Sequence, residues 1–365
     1  MKIAIDARAA AETAAGRGRY VRELIAGFAR MDADHEFTLL ARERWGEAAL
    51  DRRFTWRTFS APGLLWPLLA GVRMSASADV GLACTSYAIT APWRIPGAAI
   101  VWDFAPFERS LRSPRGSLLE RWTLPLAVRR CEILVAISEA TRGELEQRFP
   151  SAAGKAIVAH PGVDTSFSPD VADDDRAILE RLGVSKPYVL ATGTLEPRKN
   201  LPRLIEAFAG LEPGLRAGWT LVLAGAPGWE TEATLASIAA HPQLVRSLGY
   251  VSEARLPCLY RHAEVFCYVS LYEGFGIPVL EAMRSGTAVL TSSVSSMPEV
   301  GGEAACYADP RDVASIRAGM RRLILDEELR RRYAAAGQTR AALFDWDKTA
   351  RAVLASLERL ARDRA

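Results

Sequence analysis

Two carboxylates and two cations are the residues whose types and spacing most directly invite chemistry. Glu273 and Glu281 lie on either side of Gly274-Phe275-Gly276-Ile277-Pro278-Val279-Leu280, just after the apolar run Val265 to Val269, which reads as a buried parallel strand. Gly274 and Gly276 flank Phe275, so the backbone can turn sharply there and bring N–H groups against a ligand that a Cβ would push away. Pro278 suits a first helical turn, and a helix opening here offers unpaired N–H groups to an anion. The carboxylates do not bind that anion; hydroxyls of a sugar or ribose attached to a phosphate are their natural partners. Earlier in the chain, Gly193-Thr-Leu-Glu-Pro-Arg-Lys-Asn200 places Arg198 and Lys199 before a second helix, with Asn200 as the expected N-cap. Arginine forks onto two oxygens while lysine acts as a point charge, so the pair suits a diphosphate.

The elements that must position these groups follow from the rest of the chain. A length of 365 residues and a hydrophobic fraction of 49% suffice for two domains with their own cores. Short apolar runs at Lys2 to Asp6, Glu36 to Leu40, Phe54 to Phe59, Val80 to Cys84, Ala98 to Trp102, Ile133 to Ile137 and Ala156 to Ala159 alternate with amphipathic segments such as Gly18 to Met31, Ser117 to Arg130 and Glu139 to Phe149. A second alternation runs through Tyr188 to Thr192, Trp219 to Ala224, Val265 to Val269, Ala288 to Thr291 and Ala305 to Tyr307. The expected fold class is α/β, with two Rossmann-like domains facing a central cleft, and the ligand in that cleft beyond the carboxyl ends of the strands. Residues 1–168 form the expected first domain and 169–345 the second. The last segment, 346–365, reads as an amphipathic helix with Ala350, Val353, Leu354, Leu357 and Leu360 on one side.

Composition bounds the partners. A net charge of +3 is too mild to argue for nucleic acid, yet it leaves contact with an anionic surface or substrate open. Cys84, Cys131, Cys258, Cys267 and Cys306 are scattered and set mostly in apolar runs, as reduced core thiols of a cytoplasmic protein would be. No Cys/His cluster has ligand spacing, so no metal is expected. Met1 to Asp6 begins a strand directly, and no leader or membrane span is expected, since the apolar run Leu64 to Ala70 is short and broken by Pro67. That run, with Arg109, Arg112, Arg115 and Arg121, reads in two ways: a surface for a lipid-diphosphate acceptor on the inner face of the membrane, or a buried helix with solvated charge.

Glu273-Gly-Phe-Gly-Ile-Pro-Val-Leu-Glu281 resembles the paired-glutamate signature of the retaining GT-B glycosyltransferases, family 4 in particular. The family carries a matching Arg and Lys after the first strand of its second domain, and Leu248 to Tyr260 is similar to its segment whose backbone, here near Tyr250 and Val251, meets the nucleobase. The resemblance implies a metal-independent, retaining hexosyltransferase without a resident cofactor, whose donor is a nucleoside diphosphate sugar. GDP-mannose is favoured, with UDP and dTDP sugars open, and the acceptor is a sugar, glycan or lipid-linked hydroxyl. Arg198 and Lys199 would carry the leaving diphosphate, Glu273 the transferred sugar, and Glu281 the ribose. Gly193, Tyr250, Val251, Gly274, Phe275, Gly276 and Ile277 would line the donor. In such folds the last helix packs back on the first domain.

In that domain the implied donor contacts are Gly16 and Gly18, in a turn opening a helix, with Arg17 and Arg19 either on a phosphate or solvated. Trp102-Asp103 stands where many relatives have His-Asp, so Trp102 and Asp103 are the candidates for donor or acceptor sugar. Tryptophan offers an N–H and a stacking face but no base. A non-catalytic nucleotide-sugar binder and a GT-B epimerase remain the alternatives, and oligomeric state is not legible.

Overall fold

The computed structural model describes residues 1–12, 16–46, 50–108 and 114–362, in two compact units: Met1–Gly162 with Asp345–Ala365, and Val163–Phe344. Among the described residues of the first unit, β1 (Lys2–Asp6), β2 (Glu36–Ala41), β3 (Phe54–Thr58), β4 (Val80–Ala83), β5 (Gly97–Val101), β6 (Ile133–Ala136) and β7 (Ala156–Val158) form one sheet in the order β3-β2-β1-β4-β5-β6-β7. In the second, β8 (Tyr188–Thr192), β9 (Thr220–Ala224), β10 (Val245–Ser247), β11 (Val265–Tyr268), β12 (Ala288–Ser292) and β13 (Cys306–Ala308) lie in the order β10-β9-β8-β11-β12-β13. All pairings are parallel, as in Ile3 beside Val80 and Val265 beside Val189. Helices must therefore cover both faces, which is why β5, β8, β11 and β12 are buried at every position and read as unbroken apolar runs rather than as alternating ones.

Each sheet has a point where its order reverses. Between β1 and β4 the reversal is tied by Asp6, fully buried, whose carboxylate accepts from Thr85 N (3.0 Å), Ser86 N (3.2 Å) and Arg8 N (3.3 Å). Burial pushes its pKa up, and Arg8 and these N–H groups oppose the shift. The second reversal lies between β8 and β11, at the carboxyl ends of the strands where ligands of such sheets bind.

The helix Trp346–Arg362 belongs to the first unit and lies along Gly16–Arg30. Trp346 packs edge-on against Tyr20 at 5.4 Å, Asp347 pairs with Arg30 at 2.6 Å, and Thr349 Oγ1 donates to the His160 carbonyl. The two helices approach so closely that a Cβ on Gly27 would stand 2.5 Å from that of Ala350.

Local differences from the sequence reading have physical causes. The helix expected from Gly18 starts at Gly16, so both glycines lie inside its first turn and not in a turn before it. β10 was not anticipated: Val-Arg-Ser at a sheet edge has one buried residue and no apolar run. Leu64 to Ala70 is not a buried helix. Its residues enter the helix Leu65–Ser77, with Pro67 tolerated in the first turn, and only Trp66, Pro67, Ala70, Gly71 and Met74 are buried. Arg109 and Arg112 lie outside the described residues.

Replacing Gly27 with Ala is expected to cost about 1–3 kcal/mol by overpacking, despite alanine's better helix propensity. Adding Ala350→Gly should recover part of that loss in chemical denaturation, and simple additivity of the two changes would contradict the close approach.

Candidate functional site

The turn after β8 and the loop after β11 meet at one carboxylate. Arg198 and Lys199 occupy a short 3-10 turn, Pro197–Lys199, ahead of the helix Leu201–Ala209. Glu273 lies in the loop between β11 and the helix Ile277–Arg284. Its Oε2 is 2.5 Å from Arg198 Nη1 and its Oε1 is 2.7 Å from Lys199 Nζ, so one buried carboxylate holds both cations. Lys199 Nζ also donates to the Tyr268 hydroxyl, and Arg198 Nε to Glu196 Oε2 at 3.0 Å. Two arms of backbone brace the arrangement: Leu271 N donates to Arg198 O at 2.8 Å, and Lys199 lies against Gly193, where a Cβ would sit 3.3 Å from its Cε. Gly193 has φ +116°, a conformation glycine adopts without strain.

Electrostatics follow from burial. For Glu273 desolvation alone would raise the pKa, but Arg198 and Lys199 outweigh it and bring the carboxyl down to about 2. Lys199 moves to about 8, because burial and the neighbouring Arg198 guanidinium outweigh the attraction of Glu273. It therefore stays a cation at neutral pH, close to where it can lose its proton.

Asn200 departs from its expected role. It has φ +61° and its side chain makes no cap; instead Nδ2 donates to Val269 O (3.0 Å) and Pro310 O (2.6 Å), stitching the cationic turn to the end of β11. Ser295 and Ser296 were missed as site residues. Ser295 Oγ accepts from Glu273 N at 3.0 Å, and Ser296 Oγ donates to Phe275 O at 2.7 Å, so the glycine loop is fixed by hydroxyls from beyond β12. The stretch Ser295-Ser-Met-Pro-Glu-Val300 is similar to the family's pattern after this strand, but nothing local assigns its two hydroxyls to the glycine loop.

The other second-unit candidates take distinct positions. Gly276 has φ +113°, and a Cβ there would meet Met297 Cε at 2.5 Å, so only glycine opens this helix. Phe275 turns its ring into the core against Phe344 at 5.6 Å, and Gly274 beside it is buried, with Ile277 half-buried at the start of the helix. Glu281 is buried in the helix and accepts from the Tyr260 hydroxyl at 2.8 Å, which also meets Thr192 Oγ1 at 2.7 Å. Tyr250 is exposed and Val251 buried, in the loop after β10.

In the first unit Arg17 is not solvated: it pairs with Glu120 at 2.8 Å, stands 3.9 Å from Asp103, and lies over the Trp102 ring at 5.5 Å. The Trp102 N–H donates to Cys84 O at 2.9 Å and its ring is buried under the Arg17 guanidinium, so neither its N–H nor its stacking face is open to the sugar expected there. Asp103 Oδ1 accepts from Ala105 N at 3.0 Å, a turn-forming role. Gly16 and Gly18 are helical.

Among the described residues one group of metal-type side chains converges, Asp175, Cys258 and His262, which sequence spacing did not reveal. Its chemistry is that of an ion pair. Asp175 Oδ2 lies 2.9 Å from both His262 Nε2 and Arg261 Nε, and burial pushes the Cys258 thiol up to about 12.

A pH series tests the central carboxylate. The depressed pKa of Glu273 contributes stability that is complete above its unfolded value, near 4.5, and fades as pH falls toward 2. Glu273→Gln should therefore destabilise by about 3 kcal/mol at neutral pH, and the gap from the parent protein should close in acid. A gap constant with pH would show that the carboxylate is not held this way.

Comparison with known proteins accords with this architecture. The family model "Glycosyltransferase Family 4" matches residues 14–167 and "Glycosyl transferases group 1" matches residues 175–340. O-antigen chain mannosyltransferase B of Escherichia coli is 34% identical over 219 residues, 59% of this chain and 58% of that protein. The serotype-specific mannosyltransferase WbdA of Escherichia coli is 29% identical over 279 residues, 74% of this chain and 34% of that one. The chain thus spans less than two thirds of the length of either relative. Among solved structures, sucrose-phosphate synthase from Thermosynechococcus elongatus superposes with TM-score 0.82 at 19% identity over 100% of both chains. WaaG, a glycosyltransferase involved in lipopolysaccharide biosynthesis, gives 0.73 at 15% identity over 98% of this chain and 99% of its own. These likenesses show the GT-B fold. With one family model over most of each unit, the chain belongs to the group 1, family 4 glycosyltransferases.

Proposed function

We propose that this protein is a metal-independent, retaining glycosyltransferase that moves mannose from GDP-mannose to the hydroxyl of a sugar, glycan or lipid-linked acceptor. The observation that carries the reading is the pair of cations, Arg198 and Lys199, locked by one buried carboxylate where the sheet order reverses. Mannose is favoured by the mannosyltransferases among the relatives. The five buried, unpaired thiols fit a reducing, cytoplasmic setting.

In this reading the diphosphate lies against Arg198, Lys199 and the first N–H groups of the helix Ile277–Arg284, with Tyr250 and Val251 at the base and Glu281 at the ribose. In this reading Glu273, while holding both cations, also receives a hydroxyl of the transferred hexose. As the bond from C1 to the phosphate oxygen breaks, charge grows on that oxygen and the fixed cations stabilise it. The acceptor oxygen bonds C1 from the same face, and its proton passes to the leaving phosphate. Three Asp-x-Asp tripeptides occur, at Asp32–Asp34, Asp173–Asp175 and Asp345–Asp347, and none lies on the loops that carry the cations or glutamates. No resident cofactor is invoked.

Calorimetric titration with GDP, UDP, dTDP and ADP in EDTA should show preference for GDP, lost in Arg198→Ala and Glu281→Ala. Absence of binding by folded protein would overturn the metal-free donor site, and binding without transfer of mannose from GDP-mannose would leave a nucleotide-sugar binder. Lys199→Ala should lower turnover at least tenfold, which normal turnover by the folded variant would refute.

The titration of Lys199 gives a second check. Binding requires its protonated form, so GDP affinity should weaken above pH about 8, by up to about tenfold per unit, as the free enzyme loses that proton. In Lys199→Arg, which stays charged, the decline should disappear; an equal decline in both proteins would exclude Lys199 as its source.

A further inference from the structure

Exposed apolar side chains are normally scattered, but here they gather. Eight of the thirteen large ones among the described residues are Leu64, Leu65, Leu68, Leu69, Val72, Leu118, Leu119 and Trp122. Within the helix Leu65–Ser77 the exposed residues 65, 68, 69 and 72 follow helical spacing and make one continuous stripe. The opposite face is fixed: a Cβ on Gly71 would stand 2.1 Å from the Ile89 carbonyl oxygen, so the helix is seated hard on the turn Tyr87–Thr90. The helix Pro114–Arg130 packs on that same turn and presents Leu118, Leu119 and Trp122, the last 75% exposed.

Charge identifies the occupant. By sequence the two helices carry five arginines, Arg73, Arg115, Arg121, Arg129 and Arg130, against one carboxylate, Glu120, a net +4 where the whole chain has +3. Glu120 is itself paired with Arg17. Arg73 is fixed at the border of the leucine stripe, its guanidinium 3.7 Å above the Phe59 ring, which in turn stacks on Trp66 at 5.2 Å. Leucines with a Trp and a basic border, on a helix far too short to span a bilayer, match the demands of an interface between acyl chains and anionic headgroups. A second copy fits poorly, because a two-fold contact through this face would oppose net positive charge to net positive charge.

We infer that the faces of Leu65–Ser77 and Pro114–Arg130 together dock the protein on an anionic lipid bilayer, lying in its surface without crossing it. The inference does not depend on the donor reading, and its test uses no nucleotide. In flotation of the full chain with phosphatidylcholine vesicles, with and without phosphatidylglycerol, partitioning should be at least about tenfold stronger on the anionic vesicles and should fall with added salt. Leu65→Ser/Leu69→Ser and Trp122→Ser should each reduce it at least about tenfold, with circular dichroism and thermal unfolding unchanged because these positions are exposed. Failure of the folded parent protein to float with anionic vesicles, or undiminished flotation of the leucine variant, would overturn the inference. So would a dimer that the leucine variant converts to monomer while the parent ignores vesicles, an outcome that assigns the face to a second copy.

Discussion

A single buried carboxylate sets what the second unit can do. Glu273 faces two cations that would otherwise repel each other in a site shielded from water, and it holds them 2.5 and 2.7 Å from its two oxygens. Removing one member of such a group leaves an uncompensated buried charge, which is why the site is all-or-none in its electrostatics. Its members come from opposite sides of the sheet reversal, so the ion group also fastens the turn after β8 to the loop after β11. Asn200, Ser295 and Ser296 complete the fastening through backbone carbonyls and N–H groups. Under the proposed function a leaving diphosphate would meet charge that is already oriented, so little reorganisation would be left for the reaction itself.

The first unit uses the same topology differently. Its reversal is closed by Asp6 receiving backbone N–H groups, and Arg17, in the first turn of the helix Gly16–Arg30, is bound to Glu120. Cation and carboxylate here stiffen the unit, with Trp102 buried beneath the guanidinium and hydrogen-bonded to Cys84. The distinctive surface of this unit is apolar and basic, on Leu65–Ser77 and Pro114–Arg130. One unit thus concentrates fixed charge around a carboxylate, and the other concentrates exposed leucine beside arginine. The proposed donor site and the proposed docking face therefore rest on different residues.

By itself the sequence determined the described strands other than β10, the fold class and the family. Runs such as Tyr188 to Thr192 and Val265 to Val269 are apolar without alternation, because parallel strands are buried on both faces, and that pattern is local. Gly276 was legible for a similar reason, since a positive φ at a helix start admits little else. The paired glutamates and Arg198-Lys199 were legible as residue types with a spacing. What only the tertiary structure decided is which charge meets which. Glu273 and Lys199 are far apart in sequence, so their pairing depends on strand order, as do the hydroxyls of Ser295 and Ser296 on the glycine loop. Asn200 was misread as a cap because its local signal, an amide before a helix, does not reveal that carbonyls of Val269 and Pro310 lie nearer. Leu64 to Ala70 left a membrane-facing surface and a buried helix both open for the same reason: apolar content is written in the sequence, but which face of a helix finds a partner is settled by what packs against it.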